Sequence, residues 1–301
     1  MTDVGNRLVA GELEAIFLPG QGMLGASFRH RGEELLRRLE NLEAAAAKGS
    51  TAGIPLLYPW ANRLASSRYR VAGRDVTFDP SSPLLHCDER GLSIHGVKWA
   101  LLAWDVIAAK RDVLTARLEW TRPELLALFP FRHKVEMTAT LRADSLTIET
   151  AVIADDPVPV SFGFHPYFGI PGCPRAEWRL ELPAMRKLVL NDRGIPTGKE
   201  EPFERVDTSL GELNLDAGFI VLDERPRFSL SGVDRRITLE FLENYRYAQV
   251  FAPKGKDFVA LEPMTARTSA LTSGQGLRVI EPGEDFNAAF RIGIQSWDFV
   301  R

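Results

Sequence analysis

Cysteine is scarce in this chain of 301 residues. Its two cysteines, Cys87 and Cys173, lie far apart and outside any Cys-x-x-Cys spacing. Disulfide-stabilised domains and structural zinc sites need several cysteines at characteristic spacings, so the sequence predicts neither. Such sparse cysteine usage is typical of a reducing compartment, and we therefore expect a cytoplasmic protein.

The chain also lacks a basic excess and any long hydrophobic run. Its 37 lysines and arginines stand against 40 aspartates and glutamates, which gives a formal net charge of −3. Proteins that bind nucleic acids or anionic membranes are usually basic, so we expect neither partner. No apolar run approaches the roughly 18 residues of a membrane-spanning helix, and the N-terminus shows no signal-peptide pattern. The sequence does not predict an oligomeric state.

Many short segments instead alternate apolar and polar residues between Gly, Pro, Asn and Asp turns, a pattern typical of half-buried strands. Hydrophobic residues make up 45% of the chain, enough for a large core. Only the alanine-rich stretch 39–48 predicts a helix. We expect one all-β domain over residues 1–301, an antiparallel sandwich or barrel with few short helices. The predicted strands are 8–17, 24–29, 103–110, 113–120, 131–140, 145–153, 178–182, 219–223, 227–231, 237–242, 248–252, 258–261, 277–280 and 286–292, with a turn at 19–22.

One segment, residues 161–172, places a titratable side chain on a constrained backbone. His165 lies between aromatic residues and is flanked by Gly163 and Gly169, which can adopt dihedral angles closed to other residues. Pro166 fixes its own φ angle and favours an extended conformation for His165. An isolated half-buried histidine is most often structural, so a functional interpretation needs support from elsewhere in the chain.

Four other places have polar residues at strand ends or in Gly/Pro loops, where β-proteins tend to have their sites. Taken alone, Asp216 would be interpreted as a turn residue. Glu262 follows a predicted buried strand and precedes a proline, so its carboxylate needs partners. The four places are Asn62-Arg63, His95-Gly96, Asp216 and Glu262.

Together these motifs resemble the aldose 1-epimerase (galactose mutarotase) family, in the family's order and over nearly the whole chain. The two segments around His165 and Glu262 are the more specific ones. The matching motifs are Pro59-Trp60-Ala61-Asn62-Arg63, His95-Gly96, Gly163-Phe164-His165-Pro166-Tyr167-Phe168, Leu215-Asp216 and Glu262-Pro263-Met264-Thr265.

The resemblance implies a large antiparallel β-sandwich and a cofactor-independent, metal-free isomerase that interconverts the α and β anomers of a free aldose. By position, Glu262 resembles the general base that takes the C1 hydroxyl proton, and His165 resembles the general acid that protonates the ring oxygen. The residues that resemble the family's sugar-binding residues are Arg63, with its neighbour Asn62, His95 and Asp216. Gln249 is a further candidate, because strand alternation predicts that it faces the same side.

Ring opening needs one proton removed and one delivered, so the mechanism expects an ionised Glu262 and a protonated His165 near neutral pH. Nearby carboxylates would favour the imidazolium, whereas burial would oppose it. The aromatic side chains of Trp60, Tyr167 or Phe168 could stack on a sugar ring or belong to the core.

Several alternatives remain open. Lys98 and Arg267 could favour a phosphorylated sugar, as in hexose-6-phosphate mutarotases, but no cluster of basic residues supports a phosphate site. The chain could also be a non-catalytic sugar-binding or sensor protein, or a structural sandwich domain like those appended to glycosidases. A metal site at His95, His165 and Glu262 lacks the short ligand spacings of such sites. His133 is predicted to face the core, and the sequence does not identify the sugar.

Overall fold

The computed structural model describes residues 5–38, 41, 44–45, 48 and 50–297. Strands dominate these residues. Two α-helices with described bounds are single turns, α1 (Pro123–Leu126) and α2 (Ala270–Ser273). Short 3-10 turns cover Pro19–Gln21, Trp99–Leu101 and Arg175–Glu177. The helix predicted over residues 39–48 lies for the most part outside the described residues and stays a prediction.

The larger of two main sheets has nine antiparallel strands. Several of its strands show the alternation expected of a sheet with one buried face, most regularly the strand His133–Leu141, where every second side chain is buried. In spatial order the strands are β10 (Asp105–Ala109), β11 (Val113–Trp120), β12 (His133–Leu141), β13 (Ser145–Ala154), β27 (Asp285–Ser296), β23 (Arg235–Glu243), β22 (Arg227–Ser231), β17 (Arg179–Leu182) and β20 (Val206–Ser209).

The second main sheet has eight antiparallel strands, and several of them consist of two residues. Its strand β25 is buried at every position, because the sheet is covered on both sides at this point. In spatial order the strands are β19 (Pro196–Phe203), β18 (Met185–Leu190), β21 (Leu215–Val221), β24 (Tyr247–Ala252), β25 (Val259–Met264), β15 (Gly163–Phe164) and β5 (Leu56–Leu57), with β16 (Tyr167–Phe168) also paired to β25.

Smaller sheets surround these two. One has four strands, β1 (Asn6–Ala10), β2 (Leu13–Leu18), β3 (Leu24–His30) and β4 (Glu33–Glu34). The two-stranded sheets are β6 (Arg68–Val71) with β7 (Arg74–Thr77), β8 (Leu85–Cys87) with β9 (Ser93–Val97), and β14 (Val158–Val160) with β26 (Arg278–Ile280).

The two main sheets pack face to face over one hydrophobic core, as an antiparallel sandwich requires. Phe164 of the eight-stranded sheet meets Phe290 of the nine-stranded sheet with ring centroids 5.1 Å apart. One contiguous cluster of buried side chains extends from Leu8 to Ile294. The structure thus confirms the predicted all-β sandwich. No helix in the described part of the chain has the length and apolar character to cross a bilayer.

Most predicted strands are present, with some corrected bounds. Two of them, β11 and β22, have the predicted bounds. The single strand predicted over residues 8–17 is wrong: it is two strands, because Gly11 turns the chain with a φ of +57°. The hairpin turn predicted at residues 19–22 is confirmed, with Gly22 in the left-handed region at its end.

Candidate active site

His165 lies in a gap between two short strands that pair with the same neighbour, β25. Strand β15 ends before it and strand β16 begins after it, and both hydrogen-bond to β25. The His165 amide donates to the Pro55 carbonyl at 3.1 Å, while the Pro166 carbonyl accepts from the Leu261 amide at 3.3 Å. The loop therefore holds His165 opposite the middle of β25, where Glu262 is located.

The two side chains touch. His165 Nε2 lies 3.1 Å from Glu262 Oε1, and the side chains are 7% and 2% exposed. Burial raises the pKa of Glu262 well above its ordinary value, and the charge of Asp216 adds to this effect. Burial lowers the pKa of His165 well below its ordinary value, with a further contribution from His95. Both shifts favour the neutral forms, which opposes the expectation of an ionised Glu262 and a protonated His165.

The second carboxylate oxygen of Glu262 has unused hydrogen-bonding capacity. Its Oε2 atom is buried and has no hydrogen-bond partner in the described part of the chain. Buried polar atoms are normally hydrogen-bonded, and orphaned ones cluster where ligands bind or chemistry occurs. A hydroxyl group of a bound molecule would satisfy this oxygen.

Asn62, in a loop, and His95, in strand β9, join these two segments beside this pair. Both have left-handed backbone conformations, with φ of +57° and +64°. The Asn62 amide donates to His95 Nδ1 at 3.2 Å, and the His95 amide donates to the Asn62 carbonyl at 3.0 Å. Burial lowers the pKa of His95 to about 3, with contributions from Arg63 and His86, so the ring is neutral and its proton is on Nε2.

Gly96 fixes the distance between strand β9 and the loop that contains Asn62. It adopts a φ of +66°, and a Cβ atom at this position would lie 2.1 Å from the Tyr58 carbonyl oxygen. That oxygen accepts a hydrogen bond from the Val97 amide at 2.8 Å. Only glycine fits so close an approach of two backbones, which explains the His-Gly pair found in the sequence.

Arg63 is oriented by a carboxylate that the sequence did not reveal. Its Nε atom donates to Asp88 Oδ2 at 2.6 Å. Asp88 Oδ1 in turn accepts from the amides of Arg90 and Leu92, both at 2.9 Å. Burial would raise the pKa of Asp88, but these hydrogen bonds hold it below its ordinary value. Nothing in the sequence could have marked Asp88, since its partner is on a different loop.

Gln249 and Asp216 form the opposite wall. Gln249 in β24 lies directly opposite Glu262 in β25 and opposite Gly218 in β21. Its Nε2 atom donates to Asp216 Oδ1 at 2.5 Å. Because neighbouring residues across strands share a face, this register turns Gln249 towards the acid–base pair, as the alternation predicted.

These side chains line one cavity of about 210 Å³, which brings together all seven residues predicted from the sequence. The predicted residues are Asn62, Arg63, His95, His165, Asp216, Gln249 and Glu262, and Ile94, Tyr167 and Phe251 complete the wall. An adjoining cavity of about 260 Å³ shares Asn62, Arg63, Asp216 and Gln249 and adds Arg90, Asn191, Asp192 and Thr268.

Of the three aromatic residues considered as sugar-stacking surfaces, two belong to the core. Trp60 is fully buried and stacks on Phe78 with ring centroids 5.6 Å apart. Phe168 is fully buried as well. Tyr167 does reach the cavity, where its ring stacks on His165 at 4.2 Å. His133 is fully buried, which confirms its prediction as a core residue.

The two basic residues that left a phosphorylated substrate open do not line the cavity. Arg267 is held by Gln275 at 3.0 Å and by Glu200 at 3.2 Å, so its charge is already paired. Lys98 lines a neighbouring crevice with His86, which shares Ile94 and His95 with the cavity. A wider groove of about 1000 Å³ crosses the nine-stranded sheet, but cross-strand ion pairs such as Arg227–Glu240 occupy it, as on an ordinary solvated sheet face.

Comparison with known proteins identifies a family and a fold for this chain. The model of the Aldose 1-epimerase family matches residues 19–293. The uncharacterized protein YihR of Escherichia coli K12 is 23% identical over 254 residues, which cover 79% of this chain and 77% of YihR. A GalM/aldose epimerase homologue from C. elegans has a TM-score of 0.81 at 16% identity, over 98% of this chain and 99% of that one. Galactose 1-epimerase from Lactobacillus acidophilus NCFM has a TM-score of 0.76 at 15% identity, covering 96% and 92% of the two chains. At these identities the structural likeness shows a common fold, while the family match extends over most of the sequence: the chain belongs to the aldose 1-epimerase family.

Proposed function

We propose that this protein is an aldose 1-epimerase that interconverts the α and β anomers of a free, neutral aldose. The observation that supports this most directly is the contact of 3.1 Å between His165 Nε2 and Glu262 Oε1 at the wall of a polar cavity. Ring opening needs an acid and a base that act together, and these two groups are placed to do so.

In the proposed reaction, Glu262 removes the proton of the C1 hydroxyl and His165 delivers a proton to the ring oxygen. The bond between C1 and the ring oxygen breaks, and C1 becomes an aldehyde. Rotation about the C1–C2 bond followed by the reverse proton transfers closes the ring on the other face. Both groups end the cycle in their starting protonation states, so no cofactor is consumed.

Burial influences which half of this cycle is stabilised. The step that opens the ring turns a carboxylate and an imidazolium into a carboxylic acid and a neutral imidazole. These neutral forms are the ones that burial favours for Glu262 and His165. The charged pair (carboxylate and imidazolium) and the neutral pair (carboxylic acid and imidazole) hold the same number of protons. Transfer of one proton from Glu262 to His165 therefore converts the neutral resting pair into the charged pair that opens the ring. Burial therefore favours the protonation states that ring opening produces over the charged pair that starts it.

The remaining cavity residues supply hydrogen bonds for sugar hydroxyls. Neutral His95 offers an Nε2 donor, since its Nδ1 atom accepts from the Asn62 amide. Arg63 is fixed by Asp88 and can direct its guanidinium group at adjacent hydroxyls. Asp216 and Gln249 offer acceptors on the facing strands.

Charge favours a neutral sugar over a phosphorylated one. Arg63 is paired with Asp88, and Arg90 shares the adjoining cavity with the carboxylates of Asp192 and Asp216. Phosphate sites usually gather several unpaired basic groups, which this arrangement does not provide. A non-catalytic sugar sensor is also disfavoured. His165 and Glu262 are buried titratable groups in contact with each other, and such a pair destabilises a protein in which it performs no reaction.

Proton NMR measurement of anomer exchange tests the proposal. Wild type and Glu262→Gln would be compared on neutral and 6-phosphorylated aldoses, with Glu149→Gln as an exposed control on β13. We expect catalysed exchange of a neutral aldose in wild type and in the control, and its loss in Glu262→Gln. Sugar binding without exchange in the wild type would instead identify a sensor, and a preference for the phosphorylated sugars would contradict the neutral substrate.

A further inference from the structure

His165 Nε2 has a second neighbour besides Glu262. The Tyr167 hydroxyl lies 3.2 Å from it, and the two rings stack with centroids 4.2 Å apart and planes 13° from parallel. The same hydroxyl lies 2.5 Å from Thr51 Oγ1. A continuous chain of polar contacts therefore connects Thr51, Tyr167, His165 and Glu262.

The Tyr167 ring is held in place on several sides. The guanidinium carbon of Arg37 lies 5.6 Å from its centroid, and Phe258 packs against it at 5.3 Å. Its backbone is fixed as well, because its amide donates to the Gly53 carbonyl and its carbonyl accepts from the Arg37 amide, both at 3.0 Å. The position of the hydroxyl is thus determined by packing and does not depend on the bond to His165.

The hydroxyl pair can serve either protonation state of the imidazole. A hydroxyl group both donates and accepts, whereas each state of a ring nitrogen does only one of these. When Nε2 bears a proton, the Tyr167 oxygen accepts it and the Tyr167 proton points to Thr51. When Nε2 is bare, Thr51 donates to Tyr167 and Tyr167 donates to Nε2. Burial raises the pKa of Tyr167, so the group stays a phenol throughout.

We propose that Tyr167, with Thr51 behind it, is a positioning residue whose hydroxyl keeps His165 Nε2 hydrogen-bonded both before and after proton transfer. As a role in turnover, this rests on the proposed epimerase function. In that reaction His165 gives a proton when the ring opens and takes it back when the ring closes. Glu262, the other neighbour of Nε2, exchanges a proton with the C1 hydroxyl in the same steps, so the Tyr167 hydroxyl is the neighbour that stays with Nε2 throughout.

Tyr167→Phe removes the hydroxyl and keeps the ring. We expect kcat for anomer exchange to fall roughly fivefold to tenfold, the factor for one neutral hydrogen bond, with KM nearly unchanged. The acidic limb of the pH–kcat profile should also shift, because the proton affinity of Nε2 changes. Tyr69→Phe is the matched control, since the Tyr69 hydroxyl is buried with no hydrogen-bond partner in the described part of the chain, and it should retain both kcat and the pH profile.

Thr51 supplies the more specific test. Thr51→Val should lower kcat in the wild-type background and have no further effect in the Tyr167→Phe background, because Thr51 acts through Tyr167. Thr51→Ser keeps the hydroxyl and should retain the wild-type rate. Additive losses in the double variant would overturn the proposal. A higher KM and a lower thermal stability without a change in the pH profile would overturn it as well.

A readout that does not require turnover separates this inference from the epimerase assignment. The 15N resonance of His165 Nε2 reports its protonation and hydrogen bonding in the free protein. We expect it to move in Tyr167→Phe and in Thr51→Val, without further change in the double variant. Unchanged resonances would overturn the hydrogen-bond chain even if wild type is an active epimerase, whereas a shift without any wild-type exchange would overturn the epimerase function alone.

Discussion

The imidazole of His165 and the carboxyl of Glu262, 3.1 Å apart, have pKa values that burial displaces towards each other. Burial makes the histidine harder to protonate and the glutamate harder to ionise. Because the two groups are in contact, we expect them to titrate as a coupled pair. This coupling determines how rate and stability should depend on pH.

The pH profile of kcat/KM should be bell-shaped. The reactive pair holds one proton, so activity falls when the pair gains a second proton or loses its last one. Because the pKa of His165 is lowered and that of Glu262 is raised, we expect the acidic limb below pH 6.5 and the alkaline limb well above pH 4.5. His165→Asn should lower kcat by at least about a hundredfold. A flat profile, or an Asn variant with wild-type turnover, would contradict the acid–base roles.

Glu262→Gln should change the pH dependence of stability. Above pH 4.5 the carboxyl ionises in the unfolded chain but stays protonated in the folded one, because its folded pKa is raised. Unfolding then releases a proton, and the free energy of unfolding of wild type decreases as the pH rises. The glutamine variant lacks this loss, so its Tm relative to wild type should increase between pH 4.5 and pH 7. Thermal denaturation at both pH values measures the difference.

The exposed substitution Glu149→Gln is the control for that experiment and should show no comparable trend. A Glu262→Gln variant whose Tm relative to wild type is the same at both pH values would indicate a Glu262 pKa near its ordinary value.

Gly96→Ala should destabilise the packing of strand β9, which contains His95, against the Tyr58 backbone. Its Cβ atom would lie 2.1 Å from a backbone oxygen, and the residue has a φ of +66°. Gly73 has a similar φ of +73°, but a Cβ atom there meets nothing within 4 Å, so Gly73→Ala isolates the backbone strain. We expect about 1 kcal/mol of destabilisation at Gly73 and clearly more at Gly96, measured by urea denaturation. Equal losses would show that strand β9 and the Tyr58 backbone can separate.

Asp88→Asn should raise KM more than it lowers kcat. The substitution removes the charge that fixes the Arg63 guanidinium but leaves both groups of the acid–base pair in place. Binding of the sugar in ground state and transition state would then weaken alike, which changes KM and not kcat. Steady-state kinetics of anomer exchange measures the split, and a loss confined to kcat would assign Arg63 a part in the chemistry.

Strands with a regular alternation were predictable from the sequence. The strands of the nine-stranded sheet have one solvated face, and their period of two is visible along β11, β12 and β13. In contrast, β19 has mainly exposed side chains and contains two prolines, so no apolar periodicity marks it. The two-residue strands β15 and β16 exist because distant segments pair with them, which a local pattern does not reveal. That residues 1–301 form one domain stays a prediction.

The residues of the candidate site were also predictable, but their charge states and supports were not. The motifs identified His165 and Glu262, whereas the balance between burial and nearby charge depends on how closely the sandwich encloses them. Asp88 and Thr51 belong to no motif. Their importance arises from contacts with Arg63 and Tyr167 that only the folded chain creates.

Glu262 and His165 lie in one part of the fold, and Arg63 and His95 lie in another. Glu262 belongs to a fully buried central strand and His165 to the loop paired with it. Arg63 lies in a loop and His95 in strand β9, and these two segments are joined to each other outside that sheet. Under the proposed function, substitutions in the segments of Arg63 and His95 would therefore alter which hydroxyls are recognised while His165 and Glu262 keep their spacing. A scaffold of this kind can diversify in substrate over evolution without reinventing its chemistry.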